Sequence, residues 1–309
     1  MEKAIQIMKE VRKVVVGKDR TIGSVMCAML ADGHILLEDI PGVGKTTMAL
    51  AFARAMELSF KRMQFTPDVM PTDVTGYSLY NRQTGQNEYI PGAAMCNLFL
   101  ADEINRTSSK TQSALLEVME EGSITVDGVT RAVPNPFWVI ATQNPVGSAG
   151  TQLLPESQMD RFMVCLSMGY PDVKEEVSII QSRQAKNPLE SVQKVITPVE
   201  FLEMQRQVND VYVSDLVCEY AASLSAWTRS HAMIRLGVSP RGTLALVRMA
   251  KAAAYLAGKD YVVPENIQSV FQDVCAHRVL LNSRGRVEGM TARSLLETAL
   301  KEVPAPGVG

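Results

Sequence analysis

The amino-acid sequence predicts an α/β protein, a mostly parallel sheet covered by helices and followed by a smaller all-helical domain. Three observations carry this expectation. Short, near-continuous apolar runs alternate with helix-patterned stretches through the first half, as strands buried on both faces do. A glycine-rich turn sits between the first of those runs and a helix pattern. Beyond Tyr170-Pro171-Asp172 the apolar runs stop, and from about Lys174 the pattern is helical with no strand-like run.

Taken in order, the chain opens on MEKAIQIMKEVRK, which is amphipathic and charged. No run reaches the roughly 18 consecutive apolar residues of a membrane span, so a cytoplasmic location is expected. The candidate strands are HILLE (34–38), NLFLAD (97–102), FWVIAT (137–142) and FMVCLSM (162–168). A helix is expected over Ser108–Glu121, closed by Gly122 as its C-terminal cap. Two insertions interrupt the alternation. Residues 75–92, rich in Gly, Asn and Gln, read as a loop or hairpin outside the core. In Ser123–Arg131 the dipeptide Asp127-Gly128 is a strong hairpin signal, because both turn positions need positive φ.

The domain boundary is placed near residue 170, giving units 1–170 and 171–309. In the second, Ser239 caps a helix that begins at Pro240. Leu244, Val247, Ala250 and Ala254 are expected to line one face of it, and Gly258 to end it. The last residues, VPAPGVG, read as a frayed tail.

With 309 residues, 46% hydrophobic and 21% charged, the composition is that of an ordinary globular protein. A net charge of -2 gives no drive for non-specific nucleic-acid binding. The five cysteines are scattered, without zinc spacing, and read as reduced packing thiols. His34, His231 and His277 stand apart from one another and from the cysteines, which argues against zinc or nucleophilic chemistry.

The run Leu36-Leu37-Glu38-Asp39-Ile40-Pro41-Gly42-Val43-Gly44-Lys45-Thr46-Thr47 follows a buried strand and opens a helix, the setting of a Walker A phosphate loop. Gly42 and Gly44 let backbone N–H groups close around a phosphate, where the helix dipole also favours negative charge. Lys45 adds a point charge for the β and γ oxygens, and the Thr46 hydroxyl suits magnesium. Pro41, Val43 and Thr47 complete the candidate nucleotide loop. Asp39 stands where the general pattern has its first glycine, at the strand end furthest from the phosphates.

Downstream, Leu98–Ala101 lead into Asp102-Glu103. In a phosphate-loop protein Asp102 would contact magnesium and Glu103 would polarise the attacking water. Asn144, after the strand Phe137–Thr142, could orient that water, although an Asn before Pro is also ordinary turn chemistry.

These residues resemble the AAA+ superfamily of P-loop ATPases and, within it, the MoxR-like ATPases. The matching blocks are GHILLEDIPGVGKT, QFTPDVMPTDVTG, LADEINR, ALLEVMEEGSITVDG, FWVIATQNP, LPESQMDRF, VSPRGTLAL and KDYVVPENI, spread from Val16-Gly17 to Arg278. The resemblance implies a five-stranded αβα core with a helical lid, and ATP/ADP and Mg2+ as ligands. It places Asn144 at the sensor-1 position, Arg161 as the arginine finger reaching a neighbouring subunit's γ-phosphate, and Arg241 as sensor-2 on the lid. Read alone, each arginine fits a surface or domain-interface salt bridge better. Val15, Val16 and Gly17 are implied to line the adenine pocket, and the two insertions to face a ring's central surface. Gln64 or Arg62 would couple Glu103 to a partner surface. The segment Pro145–Leu154 is less acidic than the usual family version.

The function implied is a ring-forming ATPase, hexameric by resemblance, that remodels or activates partner proteins such as those with von Willebrand factor A domains. A nucleotide-gated scaffold with little turnover is the alternative, and Glu103, Asn144 and Arg161 argue against it. A nucleic-acid motor is disfavoured by the neutral charge and few aromatics. A GTPase is disfavoured by the lack of an NKxD-type motif.

Overall fold

The structure, a computed structural model, describes residues 1–40, 42–144, 154–185 and 187–307. Helices α1 (Glu2–Arg12) and α2 (Asp19–Leu30) precede β1 (Ile35–Glu38) and α3 (Lys45–Ala55). Strand β2 (Phe60–Gln64) and the short α4 (Pro71–Thr75) lead into a hairpin of β3 (Gly76–Asn81) and β4 (Gln86–Pro91). Then come β5 (Leu98–Asp102), α5 (Ser109–Glu121), a second hairpin of β6 (Ser123–Val126) and β7 (Val129–Ala132), β8 (Trp138–Gln143), α6 (Glu156–Met159) and β9 (Val164–Leu166). The remainder comprises α7 (Val173–Ala185), α8 (Pro198–Asn209), α9 (Asp215–Ser230), β10 (Ile234–Leu236), α10 (Pro240–Leu256), α11 (Pro264–Cys275), β11 (Leu280–Leu281), α12 (Ser283–Val287) and α13 (Ala292–Glu302).

Five parallel strands form the main sheet in the order β2-β5-β8-β1-β9. The central strands β5 and β8 are buried at every residue, as their unbroken apolar runs require. The sequence runs did not reveal β2, because it is an edge strand. Its residues FKRMQ are half-buried or exposed throughout, so no apolar run marks it. Both insertions are antiparallel hairpins, and Asp127 and Gly128 both have positive φ. One hairpin lies between β2 and β5, the other directly before β8.

One hydrophobic cluster fills one face of the sheet and continues into the later helices, joining Ile35 and Leu37 to Ile7, Phe201, Leu246 and Phe271. A second cluster, with Phe65, Phe99, Val139 and Leu116, fills the other face. Trp138 meets Phe201 edge-on with ring centroids 5.0 Å apart. Buried Gln205 donates to the Met29 carbonyl at 2.7 Å and ties α8 to α2.

Two expectations for the second half are corrected. A short antiparallel pair, β10 with β11, interrupts the helices. These strands are only two or three residues long and half-exposed, too short to give a periodic signal. On α10, Leu244 faces outward at 67% exposure, while Ala245, Leu246, Met249 and Ala250 are buried. Of the other predicted positions, Ala250 and Ala254 are buried and Val247 packs against the core cluster, so Leu244 alone departs from the expectation. The caps hold, with Ser239 accepting from Gly242 N and Gly122 left-handed after α5.

Four cysteines are buried and Cys218 is exposed, and all five are free. Burial pushes the thiols of Cys27, Cys165 and Cys275 up to about 12, which suits packing rather than chemistry. Among the described residues no helix is long and apolar enough to cross a membrane.

Candidate active site

The candidate phosphate loop leaves β1 at its carboxyl end, where ligands of open parallel sheets bind. Gly42 (φ 88) and Gly44 (φ 97) adopt left-handed backbone that side-chain-bearing residues rarely take. Gly44 is the N-cap of α3, so the first N–H groups of that helix face the loop. Lys45 is buried, and its Nζ donates to the carbonyl oxygens of Asp39 at 2.9 Å and Ile40 at 3.3 Å. Burial lowers its pKa, an effect opposed by the carboxylates of Asp39, Asp102 and Glu103.

The parallel pairing of β5 with β8 sets Ala101 beside Ala141. The next residues therefore meet, and Thr142 Oγ1 donates to Asp102 Oδ1 at 3.0 Å while accepting from Glu103 N at 2.9 Å. Glu103 itself has φ 56 and ψ 48, a left-handed conformation that costs free energy in a non-glycine residue and clusters at functional sites. Its carboxylate accepts from Asn144 Nδ2 at 3.0 Å and from Arg106 Nη1 at 2.7 Å. Burial works to raise this carboxyl. The hydrogen bonds from Arg106 and Asn144, with the charges of Arg106 and Lys45, outweigh burial and hold it below the ordinary carboxylate range.

Two adjoining cavities meet at Gly42, Gly44 and Thr47. One, of about 310 Å³, is polar and lined by Lys45, Thr46, Arg62, Gln64, Asp102, Glu103, Thr142 and Asn144. The other, of about 560 Å³, is more apolar and is lined by residues of the 14–18 segment, the loop residue Val43, and Pro171, Ile179 and Leu189 from the segment after β9. Such a pair suits a ligand with a flat apolar ring at one end and a polyanion at the other. Thr46 and Asp102 offer hard oxygen donors of the kind magnesium takes alongside phosphate oxygens and water. Among the described residues no group of three His, Cys, Asp or Glu could hold a metal without such a ligand.

Of the predicted site residues, Val16, Gly42, Val43, Gly44, Lys45, Thr46, Thr47, Asp102, Glu103 and Asn144 line these two cavities. Pro41 lies outside the described residues, as does most of 145–154. Gly17 does not line the cavity. A Cβ there would collide with the Glu175 carboxylate, so its glycine serves a close approach to α7. Arg62 pairs with Asp102 at 2.7 Å rather than with Glu103, which corrects the expectation that it couples to Glu103.

Arg161 and Arg241 stand elsewhere. They share the Glu120 carboxylate, Arg161 at 3.1 Å and Arg241 in a shorter contact. Both line a cavity of about 420 Å³ with Asp32, Gly33 and His34, which precede β1, whereas the phosphate loop follows it. That cavity and the two cavities at the loop share no residue. Sequence reasoning missed Thr142, Arg106 and Glu120. Thr142 alone had a usable signal, its place as the last residue of the buried run FWVIAT.

The three histidines are structural, as expected. His34 is half-buried and bridges Val139 N and the Met119 carbonyl, His277 meets the Phe162 carbonyl, and His231 stacks on Trp227.

Comparison with known proteins agrees with this geometry. Residues 34–164 match the model of the ATPase family associated with various cellular activities (AAA), and 226–299 match the AAA lid domain. The chain is 46% identical to the uncharacterized protein YeaC of Bacillus subtilis, over 97% of this chain and 93% of the relative. It is 35% identical to Chaperone MoxR1 of Mycobacterium tuberculosis, over 97% and 81%. With Protein MoxR of Methylorubrum extorquens the identity is 31%, over 98% and 95%. The crystal structure of a protein from Cytophaga hutchinsonii, provisionally assigned as an ATPase, superposes with a TM-score of 0.91 at 38% identity, covering 99% of this chain and 96% of that one. Full-length similarity, the two matched family models and the five-stranded parallel sheet together place this chain in the MoxR family of AAA+ ATPases.

Proposed function

We propose that the chain binds ATP with magnesium at the Lys45 loop and hydrolyses it to ADP and phosphate in a ring of identical copies. The observation that carries the ring is the placement of Arg161 and Arg241. They sit at the amino ends of the strands, while the phosphate loop sits at the carboxyl ends. An arginine so placed serves a phosphate bound by a neighbour, not its own. Arg241 is therefore assigned to act in trans with Arg161, and the division into a core (1–170) and a lid (171–309) is supported by the separate core and lid matches at 34–164 and 226–299.

Within a site, Lys45 exchanges its carbonyl partners for phosphate oxygens. Magnesium, held through Thr46 and Asp102, would neutralise charge on the β and γ oxygens. Glu103 accepts the proton of the attacking water, and its lowered pKa keeps it ionised for that task. Asn144 holds that carboxylate, and through it the water. The downstream role proposed is chaperone-like remodelling or activation of partner proteins, with von Willebrand factor A domains as candidate partners and six copies per ring. The name of the relative Chaperone MoxR1 supports the first of these.

The test is ATP hydrolysis against protein concentration, with mass followed by light scattering. Specific activity should rise as a larger assembly forms. Full activity in a species that stays monomeric would overturn the trans assignment.

A further inference from the structure

The chain departs from the general phosphate-loop pattern at Asp39, and the proposed hydrolysis gives that carboxylate no task. Asp39 is only 4% exposed. A carboxylate so far from water needs donors. Among the described residues they come from three consecutive positions after β9: Ser167 Oγ at 2.8 Å, Met168 N at 2.5 Å and Gly169 N at 3.0 Å. The parallel register brings them there, since Leu37 of β1 lies opposite Leu166 of β9. Gly169 has φ +63, and successive N–H groups around a left-handed residue form a concavity that holds an anion. Here the anion is a side chain of the phosphate loop itself.

The main chain of the same residue faces the other way. The Asp39 carbonyl accepts from Lys45 Nζ. The segment gripped by its carboxylate runs directly into Pro171 and α7, which wall the apolar cavity. Met168 also packs toward the loop, its Cε 3.8 Å from where a Cβ on Gly44 would stand.

We propose that Asp39 is a positioning residue that docks the β9–α7 connection onto the phosphate loop and so holds the helical wall against the ring end of the nucleotide. When phosphate oxygens draw Lys45 from the Asp39 carbonyl, the change reaches a residue that grips the start of α7. The proposal rests on the reading of this loop as an ATP site. A glycine at this position, as in the general pattern, would leave the 168–169 N–H groups without their carboxylate.

The experiment compares ATP with inorganic tripolyphosphate by calorimetry, on the wild-type chain, Asp39→Gly, Asp39→Asn and Gly169→Ala. Hydrogen exchange at Met168 and Gly169 is followed in parallel. In Asp39→Gly, ATP should bind about tenfold more weakly while tripolyphosphate stays within about twofold, and the two amides should lose about tenfold or more of their protection. Asp39→Asn keeps one oxygen acceptor and should fall between. Gly169→Ala approaches the contact from the other side. Its Cβ meets nothing within 4 Å, so it strains only the backbone and should give the same split. An equal loss for both ligands would mean that Asp39 shapes the phosphate loop itself, and would overturn the proposal. So would unchanged protection of the two amides. A wild-type chain that binds neither ligand would defeat the ATP reading instead, and the exchange measurement would still decide the docking.

Discussion

The side-chain amide of Asn144 donates to the Glu103 carboxylate at 3.0 Å, each residue standing just past the end of one of two neighbouring strands. With Arg106 on the other oxygen, Glu103 is fixed as an ionised acceptor. Glu103→Gln removes the charge and keeps the shape. ATP should still bind, and turnover should fall by about 10² to 10⁴-fold. Single-turnover kinetics beside a binding isotherm checks this, and normal turnover would remove Glu103 from the mechanism.

Lys45 is the buried cation of the loop. Lys45→Ala is expected to abolish measurable ATP binding by calorimetry while leaving the fold intact by circular dichroism. Unchanged affinity would contradict the phosphate assignment.

Arg161 and Arg241 meet at Glu120, far from the loop they would serve. If they act on a neighbour, Arg161→Ala should lose about 10³-fold in rate. Mixing it with Lys45→Ala subunits should restore part of the activity, because some interfaces pair a sound arginine with a sound loop. Absence of rescue in rings shown to be intact would point to a structural role for Arg161.

Ser239 accepts from Gly242 N at 3.1 Å as the cap of α10 and donates to Asp160 at 2.9 Å. Ser239→Ala should destabilise the chain by about 1–2 kcal/mol. The urea midpoint should drop with an unchanged slope, and a midpoint equal to wild type would show that the cap contributes nothing.

His34 and His277 are half-buried, and desolvation lowers their pKa values, well below the ordinary range for His277. The unfolded chain therefore binds these protons first. Their contribution to stability is complete above the unfolded value of about 6.5 and is lost as pH falls toward the depressed folded values. Thermal midpoints measured between about pH 7.5 and 5.5 should decline, and His34→Gln should flatten the decline. A midpoint independent of pH across that window would refute the assignment.

What the sequence disclosed follows from how each feature is encoded. The glycine turn after β1, the acidic strand end and the central strands were legible because positive φ and two-sided burial narrow the residue types that fit. Strand β2 was not, because an edge strand keeps one side in water and mixes Lys61 and Arg62 with Phe60 and Met63. On α10 one predicted position, Leu244, faces outward instead, since alanines on both sides of the helix blur its periodicity. Thr142 and Glu120 act through contacts between distant segments, which no local pattern records. Arg62 was noticed but given the wrong neighbour, because a strand's register decides which carboxylate it meets.

The hydrophobic cluster that joins Ile7 and Val11 to Phe201, Met204, Leu246 and Phe271 has a consequence for how the chain is made. Helix α1 packs on α2 and α3, its near neighbours in sequence, whereas α2 also packs on α8 and α10, which leave the ribosome about 200 residues later. At roughly 5–20 residues per second, that interval is tens of seconds of exposure. That face of α2 must wait, uncovered, until the later helices arrive. A nascent chain stalled before α8 should therefore be the species that aggregates or recruits chaperones.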